Sequence, residues 1–139
     1  MAEKDYSGTP LPKKLGIKER ARVALVGAPD GFEDLLVPWP PEAELLTRAR
    51  KPVDVAVLFA TRLAELERRF PPLVRALDPA GGLWVGWPKK AARMQTDLTF
   101  ENVQQLGLDA GLVDNKSAAL DETWQGLRFV IRLRDRPRS

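Results

Sequence analysis

The apolar residues of the chain fall into three continuous runs and one alternating run. Arg22–Gly27 (RVALVG), Val53–Ala60 (VDVAVLFA) and Leu83–Trp87 (LWVGW) are each closed by turn residues. Short apolar runs bounded in this way predict strands buried on both faces, the pattern of a parallel sheet. Between the second and third runs, Leu63, Leu66, Phe70, Leu73, Val74 and Leu77 recur at helical spacing, with Glu65 and Arg69 paired on the polar side. Pro71 and Pro72 interrupt that pattern, which predicts a helix with a break. A second helix is announced by Thr99 as N-cap, by Leu98 and Val103 at the positions of a hydrophobic staple, and by Gly111 as a C′ residue. Near the end, Leu127, Phe129, Ile131 and Leu133 alternate with Arg128, Arg132 and Arg134. A period of two predicts a half-exposed antiparallel strand near a sheet edge. Its partner is Asp114–Leu120, joined through a hairpin over Asp121–Gly126.

The remaining segments are shorter. An extended arm leads into a helix around Leu11–Leu15 that Gly16 stops. Phe32–Val37 reads as one or two helical turns closed by Pro38, Pro40 and Pro41, and Asp78–Gly82 as a turn. Glu44–Arg50 resists assignment, because only Lys51 and Pro52 separate it from the strand at Val53. A parallel crossover has to return along a strand roughly 20 Å long, whereas a four-residue link reaches at most about 14 Å. We therefore expect an irregular edge there, antiparallel or not a full strand. Strands alternating with helices and closed by a hairpin give a three-layer α/β domain, Rossmann-like, with a mostly parallel sheet and a C-terminal antiparallel hairpin. Residues 1–21 form an arm and short helix packed on a single domain, 22–139.

Composition sharpens this by exclusion. At 139 residues and 44% hydrophobic content the chain fills one core. It has neither cysteine nor histidine. That removes thiol nucleophiles, disulfides, cysteine–histidine zinc sites and every mechanism built on an imidazole base. Twenty-two Lys and Arg against 19 acids leave a net charge of +3, too small and too dispersed to mark a nucleic-acid binder. The N-terminal MAEKDYSGTPLPKK lacks an apolar signal core, and Val53–Ala60 is too short to span a bilayer. The expected setting is the cytoplasm, with no membrane and no specific nucleic-acid partner.

LGIKERARVALVGAPDG resembles the approach to the first strand, and the following loop, of the nucleotide-binding methyltransferase fold. VDVAVLFATRLAELERRFPPLVRALDPAGGLWVGWPKK is similar to its central strand–helix–strand unit, LDAGLVDNK and the hairpin to its end, while Pro38–Pro52 looks contracted by one helix and one strand. Over nearly its whole length the chain resembles a bacterial family labelled domain of unknown function 3052, through YSGTPLPKKLGI, LWVGWPKK, TDLTF, GLVDNK and DETWQGLRFV. Family members often carry Val-Cys after the Asn-Lys pair. Ser117 and Ala118 stand there in this chain, so no thiol is essential to its role.

The resemblance makes the loop after the first strand the test of cofactor chemistry. Where such a site uses three glycines to bring backbone N–H groups close to the ligand, this chain has Gly27, Pro29 and Gly31. Pro29 adds a ring and removes a donor at the middle position. The acid that holds the ribose about 20 residues on is replaced by Arg48, Ala49, Arg50 and Lys51. We therefore expect no S-adenosylmethionine site and no cofactor or metal, with Gly27 and Gly31 serving a tight turn. A ligand of this fold would sit beyond the carboxyl ends of the strands. Ala28–Gly31, Thr61–Arg62 and Pro88–Lys90 meet there, bringing Asp30, Arg62, Lys89 and Lys90 to one rim suited to a phosphate or carboxylate, unless they are merely solvated. Lys116 and Trp124 form a second polar cluster with Asn115, Asp121 and Glu122; the Trp124 ring either stacks on a ligand or caps the core. The arginines at 132, 134, 136 and 138 read as a solvated edge. The leading expectation is a non-enzymatic or regulatory domain binding a small anionic ligand. The alternatives are an enzyme using Asp30 as base with Lys89 or Lys90 as stabiliser, or an interaction module using the arm Tyr6–Pro12.

Overall fold

A computed structural model describes residues 9–136. Six strands form one sheet in the order β2-β1-β3-β4-β6-β5, with β1 Arg22–Val26, β2 Glu44–Leu46, β3 Val53–Phe59, β4 Leu77–Pro88, β5 Leu112–Ala119 and β6 Trp124–Ile131. The pairs β1–β2, β1–β3 and β3–β4 are parallel, and β4–β6 and β5–β6 antiparallel. This is the mostly parallel α/β sheet with a C-terminal hairpin that the hydrophobic pattern implied. The three continuous runs are buried because both faces of the central strands are covered. On one face, α2 (Leu63–Ala76) and α3 (Phe100–Asp109) pack Leu66, Phe70, Leu73 and Val103 onto Ala56, Leu58, Leu83, Leu127 and Phe129. The other layer is thin. It consists of α1 (Leu11–Leu15), a 3-10 turn at Phe32–Leu35 and loops, which set Leu15, Ile17, Phe32 and Leu36 against Val55, Val57, Phe59 and Trp84. Trp84 is fully buried there and donates its indole N–H to the Leu15 carbonyl at 3.2 Å, fastening α1 to the sheet. Among the described residues, no helix is long and apolar enough to cross a membrane.

α3 begins as its sequence signals indicate. The Thr99 hydroxyl accepts the Asn102 N–H at 3.1 Å, and the Asn102 side chain accepts the Thr99 N–H at 2.9 Å. Leu98 and Val103 are both buried beside this cap, and Gly111 takes φ 87° just past the helix end.

Four expectations require correction. Pro71 and Pro72 do not break α2, which runs uninterrupted over Leu63–Ala76. The carbonyls they leave without an N–H partner belong to Glu67 and Arg68, exposed residues on the wet side where water can serve them. The turn residues Asp78–Gly82 lie inside β4 as a bulge: Val53 pairs with Leu77 and Val55 with Gly82, so several extra residues swing out of the ladder. β6 is an interior strand, with β5 at the edge, and it ends at Ile131; Leu133 stands on a 3-10 turn, 79% exposed.

The fourth concerns Glu44–Arg50. Only Glu44–Leu46 is a strand, so the expectation of an incomplete one holds, but it pairs parallel to β1. The length argument assumed a full strand. A three-residue strand asks the chain to return only about 10 Å and to cross about 10 Å past β1, which the connection over 47–52 spans. Arg22, the first residue of β1, clasps that connection. Its Nε donates to the Pro52 carbonyl at 2.7 Å, one terminal nitrogen to the Arg50 carbonyl at 3.3 Å and the other to the Glu44 carboxylate at 2.8 Å.

Candidate functional site

The strand order reverses between β1 and its two neighbours, β2 on one side and β3 on the other, which is where an open parallel sheet leaves a crevice at its carboxyl ends. A cleft of about 370 Å³ lies there, lined by Leu25, Gly27, Ala28, Pro29, Asp30, Gly31, Glu33, Leu45 and Thr47. The loop after β1 supplies most of one wall, and β2 with Thr47 the other.

The loop is a tight turn. Phe32 N–H returns to the Pro29 carbonyl at 3.1 Å, and Asp34 N–H to the Gly31 carbonyl at 3.0 Å. Gly27 and Gly31 have φ of 72° and 82°, conformations that favour glycine. A Cβ on Gly27 would lie 2.8 Å from the Phe59 carbonyl and 3.2 Å from the Arg69 guanidinium, so its bare backbone serves packing against β3 and α2. Both glycines are accounted for by the turn itself. The element that follows is a four-residue 3-10 turn, which aligns too few peptide dipoles to offer a strong anion site.

These residues do not fit S-adenosylmethionine. Pro29 occupies the middle of the loop without an N–H. At the carboxyl end of β2, where a ribose-binding acid is needed, Thr47 and Arg48 follow Leu46. Two carboxylates do stand nearby, Asp30 and Glu33, both solvent-exposed.

Of the rim expected from sequence, Asp30 lines the cleft, whereas Arg62, Lys89 and Lys90 do not. Arg62 caps the start of α2 beyond β3, and Lys89 and Lys90 follow β4. Arg62 and Lys90 are exposed; Lys89 is half-buried, its backbone N–H bonded to the Thr123 carbonyl at 2.9 Å. These three cations therefore belong to the β3–β4 side of the carboxyl edge. Lys116 lies on edge strand β5 and donates its Nζ to the Lys14 carbonyl at 3.2 Å, while Lys14 Nζ reaches the Ala119 carbonyl at 3.3 Å. This exchange pins the C-terminal end of α1 to the sheet. Trp124 is only 7% exposed and meets Phe59 edge-to-face at 5.2 Å, and Phe59 in turn meets Phe32 at 4.8 Å. Its ring caps the core, one of the two roles its sequence allowed. Asp121 accepts the N–H groups of Thr123 and Trp124, both at 2.8 Å, and so shapes the hairpin turn.

Sequence reasoning missed Glu33, Leu45 and Thr47. Glu33 was within reach, being two residues past Gly31; Leu45 and Thr47 depend on the short parallel strand that the length argument set aside.

No protein-family model matches the chain, and no curated protein matches it in sequence. Solved structures do match in shape. The chain is similar to a SAM-dependent methyltransferase from Aquifex aeolicus, with a TM-score of 0.59 at 18% identity over 86% of this chain and 87% of that one. It is also similar to the ribosomal protein L11 methylase of Lactobacillus delbrueckii subsp. bulgaricus, with a TM-score of 0.58 at 12% identity over 88% and 75% of the two chains. The magnesium protoporphyrin IX methyltransferase of Synechocystis PCC 6803 gives 0.57 at 12% identity, over 88% and 74%. At such identities the likeness concerns the fold, which is Rossmann-like and methyltransferase-like.

Proposed function

We propose that this protein is a small-molecule-binding domain, without catalysis of its own, on a methyltransferase-like scaffold, and that its ligand occupies the cleft beyond β1 and β2. The observation that carries this reading is the cleft's composition. A loop closed by Pro29, with no ribose acid after β2, argues against the adenosyl cofactor, yet a volume of about 370 Å³ with polar lining remains. The charged groups inside are Asp30 and Glu33, which favour hydroxyl or ammonium groups from the ligand. An anionic group on the same molecule would lie on the β3–β4 side, near Arg62, Lys89 and Lys90.

Catalysis is the weaker reading because its parts are dispersed. Asp30 is exposed in an open cleft that Lys89 and Lys90 do not line, so base and stabiliser do not share one closed volume. The interaction-module reading rests on the arm Tyr6–Pro12. Tyr6, Ser7 and Gly8 lie outside the described residues, while Pro12 is buried in the domain itself. A cytoplasmic setting and membership of the bacterial family resembled by the chain's motifs belong to the same proposal.

Thermal-shift measurements with adenosine, adenosine phosphates, citrate, sulfate and S-adenosylmethionine test it. Stabilisation is expected from at least one hydroxyl-bearing ligand other than S-adenosylmethionine, weakened by Asp30→Asn with Glu33→Gln and, for phosphorylated ligands, by Lys89→Ala with Lys90→Ala. Stabilisation by S-adenosylmethionine, or ligand shifts indifferent to the Asp30 and Glu33 substitutions, would overturn it.

A further inference from the structure

The opposite end of the sheet holds a second cleft, of about 360 Å³, that the methyltransferase-like reading does not use. Three features build it. The bulge in β4 swings Asp78, Ala80 and Gly81 out of the ladder at the amino end of the strand. The connection from α1 to β1 contributes Lys18, Glu19 and Arg20, with Arg20 held at φ 61° and its N–H bonded to the Pro41 carbonyl at 3.0 Å. The third is Arg128, projecting from β6.

Arg128 is the unusual member. It is half-buried, and among the described residues no carboxylate pairs with it. Its one side-chain partner among the described residues is neutral, the Asn115 amide oxygen at 3.3 Å. Its guanidinium lies in a cradle left by Gly82, where a Cβ would overlap Nε, Cζ and Nη2. Burial, and then the charge of Arg136, press down on the guanidinium's pKa, the signature of a cation short of a counter-charge. A planar fork kept in place and partly desolvated is suited to a carboxylate. The rest of the lining is mixed in sign, with Lys18 and Arg20 facing Glu19, Asp54 and Asp78. A bare anion would meet those carboxylates unfavourably, whereas a molecule bearing both charges would not.

We propose that this cleft binds a free amino acid, its carboxylate seated on the Arg128 guanidinium and its ammonium held by the acidic residues of the rim. The site is independent of the cleft beyond β1 and β2. It also gives a role to the one basic residue of an interior strand: Leu127 and Phe129 face α2 and α3, and Arg128 between them faces the opening.

The test is ligand-observed NMR and thermal shift with each of the twenty free L-amino acids on the full chain. At least one is expected to bind, and its N-acetyl and its carboxamide derivatives are each expected to bind at least tenfold more weakly. Arg128→Gln is expected to remove binding. Should that variant fold poorly, Asp78→Asn, which keeps an acceptor for the Ala80 N–H, is expected to weaken the free amino acid while sparing its N-acetyl derivative. The proposal is overturned if no free amino acid binds, if the N-acetyl derivative binds as well as the parent, or if folded Arg128→Gln retains full affinity.

Discussion

Replacing Arg22 with methionine keeps its apolar stem and removes the fork that ties β1 to the connection beyond β2. The structure sets the size of the effect. Two bonds, at 2.7 Å to the Pro52 carbonyl and 2.8 Å to Glu44, are short and charge-assisted, while the third, to the Arg50 carbonyl, is long at 3.3 Å. The Arg22 side chain is 28% exposed and the Glu44 side chain 52%, so solvent screens the ion pair. Allowing about 1 kcal/mol for each short bond and less for the long one gives a loss of about 2 kcal/mol. Urea denaturation measures the total, and native-state hydrogen exchange shows where it falls. Faster exchange is expected at Leu45 and Leu46, where β2 forms a wall of the candidate cleft, and at core amides such as Val57 and Val85 that open only on global unfolding, with little change at Lys116 and Ser117 on the far edge strand. A loss below about 0.5 kcal/mol, or exchange at Leu45 and Leu46 left unchanged, would refute the idea that this one side chain holds β2 in register.

Other substitutions test separate parts of the account. Gly107→Ala raises helix propensity by about 1 kcal/mol, yet its Cβ would overlap the fully buried Phe129 ring, including Cζ at 2.7 Å; a net destabilisation of about 2 kcal/mol is expected by urea denaturation. Thr99→Ala removes the hydroxyl half of the α3 capping box and is expected to cost about 1 kcal/mol in the same assay. Glu42→Gly relieves a left-handed residue at φ 61° while giving up an exposed 3.6 Å ion pair with Arg20; a thermal melt is expected to show a gain of roughly 0.5–1 kcal/mol.

The sequence was most legible where burial is complete. Val23–Leu25, Val53–Phe59 and Leu83–Trp87 are covered on both faces, so continuous apolar runs mapped onto central parallel strands. α3 was legible because its cap is local chemistry between Thr99 and Asn102. What escaped depended on distant partners. β2 has three residues, one of them buried, too few for a periodic signal, and its place is set by Arg22 from another strand. Pro71 and Pro72 looked disruptive because each removes an N–H from the helix, but the carbonyls so orphaned belong to the exposed residues Glu67 and Arg68. The alternation that suggested a sheet edge holds in β6 only over Leu127–Phe129, where Arg128 faces a cleft; Arg132 and Arg134 lie past the strand. The candidate site divides in the same way: Asp30 followed from the loop sequence, whereas Thr47 and Leu45 required the topology, and Arg62, Lys89 and Lys90 share the edge without sharing the cleft.

The proposed function depends on the loop from Gly27 to Gly31 being closed to S-adenosylmethionine by its own turn and by Pro29. Amide chemical shifts of the isotope-labelled chain, followed while S-adenosylmethionine is titrated to millimolar concentration, read this directly. The expected spectrum leaves Gly27, Ala28, Asp30, Gly31 and Thr47 in place. Saturable movement of those signals at micromolar ligand would show that the loop admits the cofactor after all.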